Sequence, residues 1–102
     1  MARYDFIACY LLANRKYGTL YIGVTSDLFL RMEQHKLGKG SKFAARYGCD
    51  KLVWYDRFPE MAPALQREKT LKSWPRQWKI NLIEEHNRFW GDLTPQLSEY
   101  GW

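Results

Sequence analysis

The sequence is poor in cysteine and histidine, short of acids, and without a long apolar run. Its two cysteines, Cys9 and Cys49, stand at no metal-ligand spacing. That excludes a cysteine-based zinc centre and points to a reducing compartment. The two histidines, His35 and His86, are too far apart for a zincin helix. A P-loop, a glycine-rich dinucleotide fingerprint and a nucleophile elbow are also missing. The longest apolar run, Phe6 to Ala13, falls well short of the ~20 residues of a membrane span. The stretch before Cys9 is likewise too short for an export signal. A cytoplasmic protein with no membrane partner is expected.

Acidic residues number 11 against 16 lysines and arginines, giving a net charge of +5 over 102 residues. Such an excess suits a polyanion, nucleic acid first, although the same charge also serves simply to keep a small domain soluble. Aromatic residues are abundant at 17%, with five Trp and seven Tyr, and apolar residues reach 46%, enough to build a core without staples. Rings beside cations stack on bases. Core and rim packing is the commoner use of such rings.

No linker, repeat or low-complexity tract divides the chain, so one domain over residues 1–102 is expected, with a core of about 6–93 and a tail, 94–102, that wraps the body. Phe6 to Leu12 and Thr19 to Val24 are apolar runs separated by a short polar segment, the pattern of an antiparallel hairpin. A turn centred on Arg15-Lys16 sets Tyr10 directly opposite Tyr21, on one face of the sheet. Thr25-Ser26-Asp27 offers capping oxygens for a helix over Leu28 to Leu37, which Gly38 and Gly40 stop. A short helix from Phe43 to Tyr47, a strand from Lys51 to Phe58, a helix from Pro63 to Ser73 and another from Pro75 to about Glu85 or Asn87 follow. Met61, Leu65, Glu68 and Leu71 fall at the spacing of an inward helical stripe.

Three groups have chemical potential. Glu68 is a carboxylate on an otherwise apolar stripe, costly to bury unless it is paired or binds a cation; flanked by Arg67 and Lys69, it reads either as an ordinary ion pair or as a ligand for one Mg²⁺. Arg31 and His35 stand four apart on a helix, either a solvated face or a phosphate fork beside a proton carrier. Tyr10 and Tyr21 read as core rings, or as phenols whose pKa must drop by ~3 units to act as a base at neutral pH.

In the order Tyr10, Tyr21-Ile22-Gly23, Arg31, His35, Glu68, the chain resembles the GIY-YIG nuclease family, closest to its short stand-alone bacterial members. The second half-motif is intact within Leu20-Tyr21-Ile22-Gly23-Val24. The first reads Ala8-Cys9-Tyr10 and keeps the tyrosine. Phe43 with Arg46-Tyr47, Leu52-Val53-Trp54-Tyr55, Arg67-Glu68-Lys69 and Trp90-Gly91-Asp92-Leu93 extend the likeness.

The resemblance implies an α/β (α+β) fold, a three-stranded antiparallel sheet flanked by helices. It implies a metal-dependent endonuclease that hydrolyses DNA phosphodiesters in one step, in DNA repair or processing, directed by structure more than by sequence. Position by position, it implies that Tyr10 and Tyr21 line the site and handle the attacking water, that Arg31 grips the phosphate, and that His35 relays a proton. Glu68 would hold a single Mg²⁺ or Mn²⁺, with no small-molecule cofactor. An asparagine joins the site in many relatives, for which Asn87 and Asn81 compete here. The DNA, whether branched, nicked or single-stranded, would be held by Lys39, Lys42 and Arg46, and further by Lys72, Arg76 and Lys79. A monomer or weak homodimer is expected. Two alternatives stand beside this reading: a nucleic-acid-binding module with the same fold but little or no cleavage, and an interaction module using Tyr100 and Trp102.

Overall fold

A computed structural model describes residues 6–99. Three strands, β1 (Ile7–Ala13), β2 (Leu20–Thr25) and β3 (Lys51–Phe58), form one antiparallel sheet in the order β2-β1-β3. Helices α1 (Leu28–Lys36) and α2 (Lys42–Tyr47) lie between β2 and β3 in sequence, followed by α3 (Met61–Ser73), α4 (Arg76–His86) and α5 (Thr94–Glu99). The expected three-stranded α+β architecture is present. Tyr100 and Trp102, the exposed-aromatic alternative, lie outside the described residues.

β1 is buried along nearly its whole length because it is the central strand and both its faces are covered. On one face Tyr10 and Leu12 pack with Leu28 and Met32 of α1, Ala44 of α2 and Leu97 of α5. On the other, Cys9 and Leu11 meet Leu71 of α3 and Ile80 and Ile83 of α4. Asp27 caps α1 through its carboxylate, which accepts from the Leu30 amide at 3.1 Å, and Ser41 caps α2 in the same way. Downstream of α4 the chain returns along β3, where the Leu93 amide donates to the Leu52 carbonyl at 2.7 Å.

The hairpin turn lies one residue later than the sequence pattern suggests. Tyr17 takes a left-handed φ of +61°, and Ala13 pairs with Leu20. Tyr10 therefore faces Gly23, and Tyr21 faces Leu12. A displacement by two residues preserves the alternation of faces, so the two tyrosines still share a side, as diagonal neighbours rather than a direct pair.

The inward stripe of α3 also differs. Met61 and Leu65 are 37% and 49% exposed, and the buried positions are Ala64 and Leu71, with Arg67 and Glu68 half-buried between them. Leu65 enters the stripe by spacing alone, whereas α3 turns Ala64, with its small side chain, to the sheet.

Candidate active site

Tyr10 projects from the central strand, and its hydroxyl end lies across Gly23. A Cβ at position 23 would come within 2.6 Å of the phenol carbon and oxygen, so only glycine fits opposite this ring. The Tyr10 hydroxyl is hydrogen-bonded to His35 Nε2 at 2.9 Å. Gly40 makes the matching space on the other side: a Cβ there would fall 2.5 Å from His35 Nδ1. The two glycines thus clear room for the two buried polar side chains.

Tyr21 completes the cluster from β2. Its ring lies 6.3 Å from that of Tyr10 and 5.7 Å from the His35 imidazole, edge to face. It stacks on Phe43 at 6.2 Å. Tyr10 is fully buried and His35 is 5% exposed, whereas Tyr21 is half-buried and borders solvent.

Electrostatics sets the state of the buried pair. Burial first, then the neighbouring Tyr21, push the Tyr10 hydroxyl well above its ordinary pKa, and the Arg31 guanidinium beside it pulls the other way without prevailing. His35 is lowered to about 4, by burial and then by the charge of Arg31, so the imidazole is neutral at pH 7. The buried pair is a neutral hydrogen-bonded unit under a fixed cation.

A groove of about 320 Å³ opens along the β2 edge, lined by Leu20, Tyr21, Ile22 and Phe43 on one side and by Lys72 and Lys79 on the other. Glu68 stands one helical turn before Lys72, and its carboxylate pairs with the Lys72 ammonium at 3.3 Å. No hydrogen bond joins Glu68 to the tyrosines, but its charge contributes to raising the Tyr10 hydroxyl. After burial it is also the next cause that raises Cys9, to about 12, which leaves that thiol inert. Tyr10, Tyr21, Arg31 and His35 therefore form one contact cluster. Glu68 comes from α3, whose Leu71 packs on the other face of the sheet, and it acts on Tyr10 only through its charge, as the weakest of the influences on that hydroxyl.

A scan against protein families matches residues 6–81 to the GIY-YIG catalytic domain. The chain belongs to the GIY-YIG family. UPF0213 proteins from Staphylococcus aureus strains Mu50 and MW2 are 35% identical over 68 residues, covering 67% of this chain and 83% of theirs. The solution NMR structure of the UPF0213 protein BH0048 from Bacillus halodurans is similar at 31% identity and a TM-score of 0.50, covering 79% of this chain and 85% of that one. In this GIY-YIG domain the second tyrosine and the glycine of its motif are Tyr21 and Gly23, and the glycine is the residue under the Tyr10 hydroxyl end. Ala8 and Cys9, at the altered half-motif, are fully buried packing residues.

The family is one of nucleases that generally use a divalent metal. Among the described residues no group of three or more His, Cys, Asp or Glu side chains comes together. The donor set near the cluster is one half-buried carboxylate, Glu68, whose ion-pair partner among the described residues is an exposed lysine. One hard oxygen ligand from protein, with waters and a substrate phosphate supplying the rest, fits Mg²⁺ or Mn²⁺ and fits no metal that needs a protein cage.

The remaining sequence candidates divide. Lys39, Lys42 and Arg46 are exposed on and before α2, flanking Phe43, and Lys79 lines the groove. Lys72 also lines it, although its ammonium is engaged by Glu68. Arg76 is elsewhere: its guanidinium donates to the Tyr17 and Gly18 carbonyls at 2.8 and 2.7 Å and closes the hairpin turn. Asn87 is also outside the cluster, across the sheet against β3. Its amide donates to the Val53 carbonyl at 3.1 Å, where the ladder to β1 skips a residue, and it clasps Gly91 from both ends. Asn81 sits on α4 and accepts from Gln77 at 2.9 Å. Phe43 and Gly40 were not singled out for the site from sequence. An apolar ring between Lys42 and Arg46 was the available sign of the first; the second shows only in space.

Proposed function

We propose that the chain is a metal-dependent endonuclease acting on DNA, directed by structure more than by sequence. The observation that carries this reading is the neutral Tyr10–His35 hydrogen bond, with Arg31 beside it and with Tyr21, whose ring packs on both, also lining a groove bordered by Lys72 and Lys79. A phosphodiester lying in that groove would have Lys79 and the α2 cations along its flanks and Arg31 beside its non-bridging oxygens, offsetting charge that develops during hydrolysis.

Of the two phenols, only Tyr21 borders solvent, so it orients the attacking water. Tyr10, buried and with a raised pKa, positions rather than deprotonates. His35, held by Tyr10 and neutral, supplies the nitrogen through which a proton is relayed. The water oxygen bonds to phosphorus as its proton is passed by way of His35 to solvent, the bond to the 3′ oxygen breaks, that oxygen takes up a proton from solvent, and no covalent enzyme intermediate is needed. Glu68 would hold the divalent ion, whose contribution is to stabilise the leaving oxygen. Cytoplasmic DNA repair or processing by a single-domain monomer or weak dimer is the setting this reading implies; no helix among the described residues is long and apolar enough to cross a membrane.

The test is direct. Purified protein is incubated with nicked, branched, duplex and single-stranded DNA and Mg²⁺ or Mn²⁺, beside Glu68→Ala. Cleavage that vanishes in the variant supports the reading. Equal cleavage by both assigns the activity to a contaminant. DNA retention without product supports a binding module instead, which the existing engagement of Glu68 by Lys72 would favour.

A further inference from the structure

A second groove, of about 240 Å³, lies at the α3–α4 corner and is lined by Trp74, Trp78, Asn81, Leu82 and Glu85. Trp78 is 54% exposed, on a helix whose Ile80 and Ile83 point into the core. Its ring stands nearly perpendicular to that of Trp74, at 76° with centroids 5.7 Å apart. The two indoles form a corner in which a flat heterocycle stacks on one ring and abuts the other.

Trp74 is braced from behind. The Arg67 guanidinium lies 5.5 Å from its ring and 5.7 Å from that of Trp54, and the Arg67 Nε is buried without a hydrogen-bond partner. A cation held between two indoles fixes the platform before any ligand arrives, which lowers the ordering cost of binding. At the groove's polar border, Asn81 has its oxygen occupied by Gln77, which leaves its amide hydrogens to donate. Glu85 offers a carboxylate, shared among the described residues with exposed His86 at 3.5 Å. One donor and one acceptor flanking an aromatic corner match the edge of a nucleobase.

Charge sets the orientation. Glu85 repels a phosphate from this groove, whereas the neighbouring Lys79 lines the Tyr21 groove. Trp78 and Lys79 are consecutive on α4 and so project about 100° apart around the helix, one into each groove, which makes α4 the ridge that a strand bound in both would cross. A second copy of the chain is the weaker occupant, because a groove confined to one helix corner is far smaller than the ~800 Å² per partner of a stable interface.

We propose that the Trp74–Trp78 groove docks one unpaired nucleobase of the DNA beside the strand held in the Tyr21 groove, so that the preferred substrate carries a single-stranded segment next to the scissile bond. This rests on the nuclease reading for its substrate but not for its test. Binding of labelled oligothymidylate and of a blunt duplex of equal length is measured by fluorescence anisotropy, in chelator and at fixed salt, for the wild type, Trp78→Ala, Trp78→Phe and Glu68→Ala. Stacking on an aromatic side chain is worth about five- to 150-fold in affinity per base. Trp78→Ala is expected to lose that much for the single strand while duplex affinity stays within about twofold, and Trp78→Phe is expected to recover most of the loss. Single-strand affinity unchanged in Trp78→Ala, or lost equally with duplex affinity, overturns the proposal. So does a dimer that Trp78→Ala dissolves without touching single-strand binding. Because no hydrolysis is read, discrimination through Trp78 in a protein that never cleaves DNA would overturn the nuclease reading and leave this site standing.

Discussion

The two edges of the sheet use polar side chains in opposite ways. Along β3, Asn87 gives its amide to the Val53 and Gly91 carbonyls and takes the Gly91 amide. Asp92 there accepts from the Leu52 and Thr94 amides and the Thr94 hydroxyl, and pairs with Lys36. Burial pushes the Asp92 carboxyl up, but the Lys36 ammonium and those hydrogen bonds outweigh it and hold it below the usual range. Along β2, Tyr21 borders an open groove, and the only hydrogen bond among the rings behind it is the internal one from Tyr10 to His35. Polar groups consumed by backbone mark the staple, whereas groups left facing an open groove mark the candidate site.

Paired substitutions break or uphold this contrast. Arg31→Ala or Glu68→Ala should lower cleavage by about a thousandfold or more with the melting curve little changed, on the scale of removing a transition-state charge partner. Asn87→Ala and Arg76→Ala should do the reverse: kcat for the folded fraction stays within about twofold, while stability falls by ~1 kcal/mol as the part-buried Val53 and Gly18 carbonyls lose their donors. Denaturant titration alongside single-turnover cleavage checks both halves. An Asn87→Ala protein of full stability and no activity would place Asn87 in the site.

The next effect concerns the spaces the site needs. Gly23→Ala drives a methyl into the Tyr10 hydroxyl end, and Gly40→Ala drives one into the His35 ring. Each should displace the Tyr10–His35 unit by a fraction of an ångström to an ångström, costing about a hundredfold in cleavage and ~1–3 kcal/mol in stability. Gly38→Ala is the comparison, since nothing lies within 4 Å of its added carbon and only its φ of +76° resists. It should cost ~1 kcal/mol of stability and leave cleavage within about twofold.

These glycines also show where the sequence stops being legible. Strand, turn and helix patterning gave the three strands and four of the five helices, because each has a local period or cap that a single chain displays. The cluster could be assembled because a displaced turn still kept Tyr10 and Tyr21 on one face. Asn87 and Arg76 could not be placed, since an amide or guanidinium carries no local sign of whether it will meet backbone or solvent. The α3 stripe failed for a related reason: helical spacing fixes which residues share a face, while the approach of the sheet decides which of two faces is buried.

A smaller effect follows from the His35 pKa of about 4. The unfolded chain takes up a proton near pH 6.5 and the folded one resists until about pH 4, so stability declines as pH falls through that window. The loss between pH 7 and pH 5 should be about 2 kcal/mol. His35→Asn should flatten this slope, at whatever baseline stability it has. Asp92, whose folded pKa is depressed, contributes stability above its unfolded pKa and loses it only at lower pH, so it does not account for loss near pH 6. An unchanged slope in His35→Asn would mean that burial and the Arg31 charge do not hold the imidazole neutral.

The smallest effect belongs to Lys72, which fits neither edge cleanly: it lines the groove, yet its ammonium is engaged by Glu68. An exposed i, i+4 pair contributes at most ~0.5 kcal/mol, so Lys72→Met should leave stability nearly unchanged. If Lys72 turns to DNA phosphate when Glu68 takes up a divalent ion, the variant should weaken DNA binding several-fold only with metal present, and reduce the salt slope by about one unit. If Lys72 stays on Glu68 throughout, the variant should bind DNA with the wild-type salt slope at every metal concentration, and its place among the DNA-binding cations is lost. The titration therefore asks whether one side chain passes from internal staple to substrate contact, the same distinction that separates the two edges of the sheet.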